Sequence, residues 1–244
     1  MSNPIEAQAR IDLAAAFRWA ARLDMHEAIA NHFSVAVSAN GKRFLLNPPG
    51  RHFSRLRASE LLLLDADNPS AGEGDCDPTA WNLHARLHQQ LPQARCVLHT
   101  HMVNTTALCC LQDFEFLMLD QNACRFHGRI AYDRDYSGMA LDMAEGERVA
   151  RLMGPDKDVL FMGNHGVIVV GASVAQAFDT LYYLEKAAAL QVRALSTGRP
   201  LALIPEAMAA VAGAQWRGYP TDYCAMHFDE LKRILDQQEA DYCR

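Results

Sequence analysis

Within 244 residues there is no Cys-x-x-Cys pair, no internal repeat and no apolar run near the roughly 18 residues that a membrane span needs. The seven cysteines sit mostly inside apolar stretches (Cys96, Cys109, Cys110, Cys124), a placement expected of reduced, buried, structural thiols. At the N-terminus, Met1 to Glu6 contains no basic stretch leading into an apolar one. The expectation is therefore a cytoplasmic protein without a membrane partner. Positive charge is scarce, with 23 Lys and Arg against 29 Asp and Glu and a formal charge of -6. A nucleic-acid partner, which requires a basic footprint over phosphates, is not expected. A phosphate loop opening a helix is missing too: Gly163-Asn164-His165-Gly166 follows one strand-like run and leads into another.

What is present is an ordinary globular composition, 50% hydrophobic and 21% charged, long enough for a substantial core. A single domain over residues 1–244 is expected. Apolar residues at helical spacing predict a first helix from Ile5 to Leu23 with Pro4 near its first turn. The alternating stretch Phe33 to Ser38, the Asn40-Gly41 turn and Arg43 to Asn47 predict a β-hairpin. Leu61 to Leu64 reads as a short buried strand, and Ser70 to Asp77 as a loop. Pro78 to Gln90 reads as a helix capped by Asp77. Further helices are expected over Val103 to Leu111, Ala140 to Met153 and Ser173 to Leu195, and two more after Leu201. Strands are expected at Cys96 to His101, Arg129 to Tyr132, and on both sides of His165. Because the early strands join through a hairpin, the fold class expected is a layered α/β domain whose sheet is largely antiparallel.

The chemistry is concentrated in histidine. In Cys96-Val97-Leu98-His99-Thr100-His101 an apolar strand ends in two imidazoles at i and i+2, which share one face of a strand. Two ligands make half a metal site, and Asn164-His165-Gly166, wedged between apolar runs, is the candidate for completing it. Three neutral imidazoles and an open fourth position form a typical catalytic zinc environment. His84 and His88, at i and i+4 on the helix, are a second pair, but they lack the acidic residue of an H-E-x-x-H motif and compete with a packing role.

Taken in order, Asn31-His32-Phe33-Ser34-Val35, Asn47-Pro48-Pro49-Gly50, Thr79-Ala80-Trp81-Asn82-Leu83-His84, Pro92 to His101 and Asn164-His165-Gly166-Val167 resemble the class II aldolase and adducin head family. The likeness runs from about residue 10 to residue 200, with residues 201–244 as a helical tail. It implies a three-layer α/β/α domain, often a homotetramer with sites between subunits, and a Zn2+ cofactor held by His99, His101 and His165. It implies a lyase acting on a small hydroxy-carbonyl compound through a metal-stabilised enediolate, with adducin-like interaction or dehydratase and decarboxylase chemistry as alternatives.

The chain departs from the family at Ala80, which stands where the aldolases carry a glutamate that moves protons. Other groups must then supply an acid or base, and Asp120 is the expected catalytic residue, with His84, Glu27 and Asp77 as further candidates. Asn31, His32, Asn47, Gly50 and Thr79 are the expected substrate-binding residues. The family's hydroxyl-rich phosphate turn is replaced by Ile29-Ala30-Asn31-His32, and its serine pair by Pro78-Thr79. Tyr219, Tyr223 and Tyr242 of the tail are expected to serve packing rather than a neighbouring site.

Overall fold

The computed structural model describes residues 3–68 and 76–244, so nearly all of the expected Ser70 to Asp77 loop lies outside the described residues. Helix α1, Pro4–Arg22, starts at Asn3, whose side chain accepts from the Ile5 amide, with Pro4 in the first turn. Strands β1 (His32–Ala36) and β2 (Arg43–Leu46) form the hairpin predicted from Asn40-Gly41. Gly41 has a φ of +70°, and a Cβ there would lie 2.0 Å from the His88 carbonyl oxygen. Only glycine lets this turn rest on the following helix.

After β3 (Leu62–Asp65) comes helix α2 (Pro78–Gln90), capped by Asp77 through the Thr79 and Ala80 amides. Strand β4 (Cys96–Thr100) leads into α3 (Val103–Cys109), followed by β5 (Ile130–Asp133) and α4 (Met143–Met153). Strands β6 (Val159–Met162) and β7 (Gly166–Gly171) make a second hairpin, and α5 (Val174–Ser196), α6 (Glu206–Arg217) and α7 (Tyr223–Gln238) close the chain.

The seven strands form one sheet in the order β3-β2-β1-β4-β7-β6-β5. Every neighbouring pair is antiparallel except β5 with β6, so the sheet is mixed but largely antiparallel, as expected. Alternation along the central strands feeds two apolar layers. Phe33, Val35, Leu98, Val167 and Val169 pack towards α1 and α5, together with Phe17, Phe178 and Leu184. Val97, Ile168 and Val170 face the other way, onto Leu83 and Leu87 of α2 and Val149 of α4. None of the described helices is long and apolar enough to cross a membrane.

Three expectations need correction. The helix read from Ala140 begins at Met143, because Asp142 accepts from the Glu145 amide and sets the start there. Helix α3 stops at Cys109, two residues before Leu111. Cys110 and Cys243 are exposed rather than buried; for Cys110, just past α3, a local apolar run does not say which side of a helix end meets the core.

Candidate metal centre

Two strands and one turn bring the site together. On β4, Cys96 and Leu98 belong to the α1 face, so period-two alternation sends Val97 and His99 to the α2 face. On β1, Phe33 and Val35 go to the α1 face, leaving His32 and Ser34 opposite them. His32 pairs directly with His99 in the antiparallel register. His101 follows one residue beyond the end of β4, and His165 lies in the short turn joining β6 to β7. That turn is held by Gly163 donating to the Asp133 carbonyl at 2.7 Å and Asn164 donating to the Cys109 carbonyl at 3.0 Å. Gly166 opens β7 without a side chain for a concrete reason. A Cβ there would stand 2.5 Å from the Thr100 carbonyl oxygen and 2.7 Å from the His101 ring.

The result is that one ring nitrogen from each of His99, His101 and His165 lies within 4.8 Å of the others. The tautomers can be read from the partners. His99 Nδ1 donates to the Val167 carbonyl at 3.0 Å, and His101 Nδ1 donates to the Glu27 carboxylate at 2.6 Å. Both rings, when neutral, therefore present bare lone pairs at Nε2, and these two atoms face each other at 3.1 Å. Two converging lone pairs repel unless a cation sits between them. Tetrahedral zinc with bonds near 2.05 Å would hold its nitrogens about 3.3 Å apart, close to the separation found.

A proton is a poor substitute for the metal here. Burial, and then the neighbouring His32 and His165, push His99 well below the ordinary histidine range. His165 is lowered to about 4, chiefly by burial and then by His101. The donor set fits a divalent ion that accepts imidazole nitrogen. Glu27 and the Val167 carbonyl then serve as outer partners that fix ring orientation, an arrangement common around bound metals.

A family model described as Class II Aldolase and Adducin N-terminal domain matches residues 11–192. This chain belongs to that family. A putative aldolase class 2 protein of Caulobacter vibrioides is 32% identical over 228 residues, covering 87% of this chain and 88% of that protein. Alpha-adducin of Rattus norvegicus is 30% identical over 196 residues, which span 78% of this chain but 26% of the adducin. Among solved structures, an aldolase II superfamily protein from Pseudomonas syringae superposes with a TM-score of 0.90 at 32% identity, covering 100% of this chain and 98% of that one.

In this family member the remaining sequence-selected residues fall in different places. His32 sits beside the cluster, with ring centroids 4.8 Å from His99. Asp77 and Thr79 hold the N-terminus of α2 near it: Thr79 Oγ1 donates to Asp77 at 2.6 Å, and the Asp77 charge acts on His32. Asn31 and Asn47 brace the loop before β1. Asn31 accepts from the Glu27 amide at 2.6 Å, and Asn47 accepts from Phe33 N while donating to the Asn31 carbonyl. Gly50 occupies an exposed turn at φ +74°, where a Cβ would meet only open space.

No described contact brings Asp120 to the histidines. Both of its carboxylate oxygens accept backbone amides, from Asn122 and Ala123, and head the turn at 123–126. Ala80 is buried in an apolar group with Phe44, Leu46, Leu64 and Trp81. Of the tail tyrosines, Tyr242 is buried, whereas Tyr219 and Tyr223 stack on each other at the surface. Sequence reasoning missed Ser34, although its spacing from His32 on one strand face was a usable signal.

Proposed function

We propose that this chain is a zinc-dependent lyase of the aldehyde-lyase type, acting on a small hydroxy-carbonyl compound such as a sugar acid or sugar phosphate. The observation that carries the reading is the convergence of His99, His101 and His165, with the outer ring nitrogens of His99 and His101 already committed to Val167 and Glu27. When bound, zinc supplies positive charge opposite the negative charge that builds on oxygen as a carbon-carbon bond beside a carbonyl breaks, which stabilises that state by several kcal/mol. The chain's own contribution is to keep His99 and His165 neutral by burial and to aim all three imidazoles at one point. Asn31, His32, Asn47, Gly50 and Thr79 are the proposed substrate side. We further propose a cytoplasmic homotetramer; Leu203, Met208, Val211 and Met226, exposed in the tail, are apolar surface suited to contact between copies.

The test is metal content and turnover together. Purified protein is expected to carry about one zinc per chain, and His99→Ala is expected to lose it along with cleavage of hydroxy-carbonyl substrates. A protein that takes up no zinc from zinc-replete buffer would remove the reading. A non-catalytic, adducin-like role is the second reading, favoured by Ala80, whose methyl group neither binds metal nor moves protons. Stoichiometric zinc without turnover of any tested hydroxy-carbonyl compound would decide for it.

A further inference from the structure

A buried line of polar groups runs between the sheet and α2, directly behind the histidine cluster. Its far end is the Ala94 carbonyl, which can only accept. His88 Nδ1 lies 2.6 Å from that oxygen and must therefore carry a proton. Neutral His88 then has a bare Nε2, which lies 2.7 Å from Ser34 Oγ. The serine has one proton to give, and it goes to His88. Ser34 Oγ is thereby left as the acceptor for His84 Nδ1, with which it makes a very short contact. A proton on His84 Nδ1 leaves His84 Nε2 bare, and this atom lies 2.7 Å from His32 Nδ1. Every direction in the line follows from the first, because each neutral ring has one donor and one acceptor.

We propose that this relay fixes His32 with its proton on Nδ1. Its Nε2 lone pair then stands beside His99, His101 and His165 as the acceptor for a hydroxyl of the bound substrate, the task left open by Ala80. His32 Nε2 has no hydrogen bond among the described residues. The ring is 9% exposed and 4.8 Å from His99 between centroids. An unconstrained histidine in water favours the opposite tautomer, so the relay has something to enforce. Burial supports neutrality along the line, since it lowers His88 to about 4 and His84 well below its usual range. His32 is thus a ligand-facing residue, and Ser34, His84 and His88 are positioning residues. The inference rests on the lyase reading only for the identity of the hydroxyl donor; the tautomer stands on the protein's own geometry.

The test uses full-length protein labelled with 15N-histidine. Two-bond proton-nitrogen correlation separates protonated from bare ring nitrogens, and His32→Gln identifies the His32 signals by their loss. At pH 7, His32 is expected to show a protonated Nδ1 and a bare Nε2 both without and with zinc. On zinc addition, nitrogens of His99, His101 and His165 should move to metal-bound values while His32 Nε2 does not. Ser34→Ala cuts the relay and is expected to release His32 into a mixture containing the Nε2-protonated form. A proton on His32 Nε2 in the native protein, a metal-bound shift at that atom, or an unchanged His32 tautomer in Ser34→Ala would each overturn the proposal. The native spectrum decides even if Ser34→Ala fails to fold. A native spectrum with the expected tautomer but no response to zinc would sink the lyase reading and the substrate-hydroxyl role, while leaving the relay intact.

Discussion

Acid should unfold the zinc-free protein through its buried histidines, and His88 allows the effect to be sized. The ring is 4% exposed, and burial lowers it from 6.5 to about 4. Because the folded value lies below the unfolded one, the unfolded chain takes up the proton first. The His88 contribution is therefore complete above pH 6.5, declines as pH falls towards 4, and is gone below that. At 1.36 kcal/mol per pH unit, this one group is worth about 2 kcal/mol between pH 7 and pH 5 and about 3 kcal/mol in full. His32, also lowered to about 4, and His84 act in the same direction.

The assay is urea unfolding of chelator-treated protein at pH 7 and pH 5, on the native chain and on His88→Gln. The glutamine does not titrate, so the stability difference between the two pH values should shrink by about 2 kcal/mol, whatever the variant loses at pH 7. An unchanged difference would refute the assignment of His88 as a buried neutral ring.

Glu27→Gln keeps the size of the side chain but removes the carboxylate that orients His101, and should weaken zinc binding about 10- to 100-fold in competition with a chelator. Gly166→Ala places a methyl group 2.5 Å from the Thr100 carbonyl oxygen; a loss of about 1–3 kcal/mol in thermal or urea unfolding is expected, with weaker zinc binding through the displaced His101. In a thiol-labelling time course on the folded protein, exposed Cys110 and Cys243 should react first, while Cys109, raised to about 12 mainly by burial, should wait for unfolding.

Much of the architecture was legible because its signals are local. Pro4 in a first turn, the Asn40-Gly41 turn and the Asp77 cap each act within a few residues, and the elements they predict appear with bounds shifted by at most two residues. The meeting of His99, His101 and His165 was likewise readable as a candidate, since His99 and His101 share a face by strand geometry and His165 stands between two apolar runs. The i and i+4 spacing of His84 and His88 was visible too, but its use was not. Spacing says that two side chains share a helix face, while their partners Ser34 and His32 come from a strand about 50 residues earlier. Asp120 shows the same limit in reverse: a carboxylate in a polar stretch after an apolar run looks available, yet both its oxygens are taken by the backbone of its own turn.

The sequence by itself determined the periodicities, the caps, the turns and the residue types capable of holding a divalent ion. Tertiary structure alone decided that His32 lies across from His99, that Glu27 reaches His101, and that the histidines of α2 bond to the sheet rather than to a metal. The physical reason is that alternation and helical spacing orient a side chain relative to its own element. Which element stands opposite is settled by strand pairing and packing between distant segments, where the free energy of burying the whole interface, rather than any local preference, selects the arrangement.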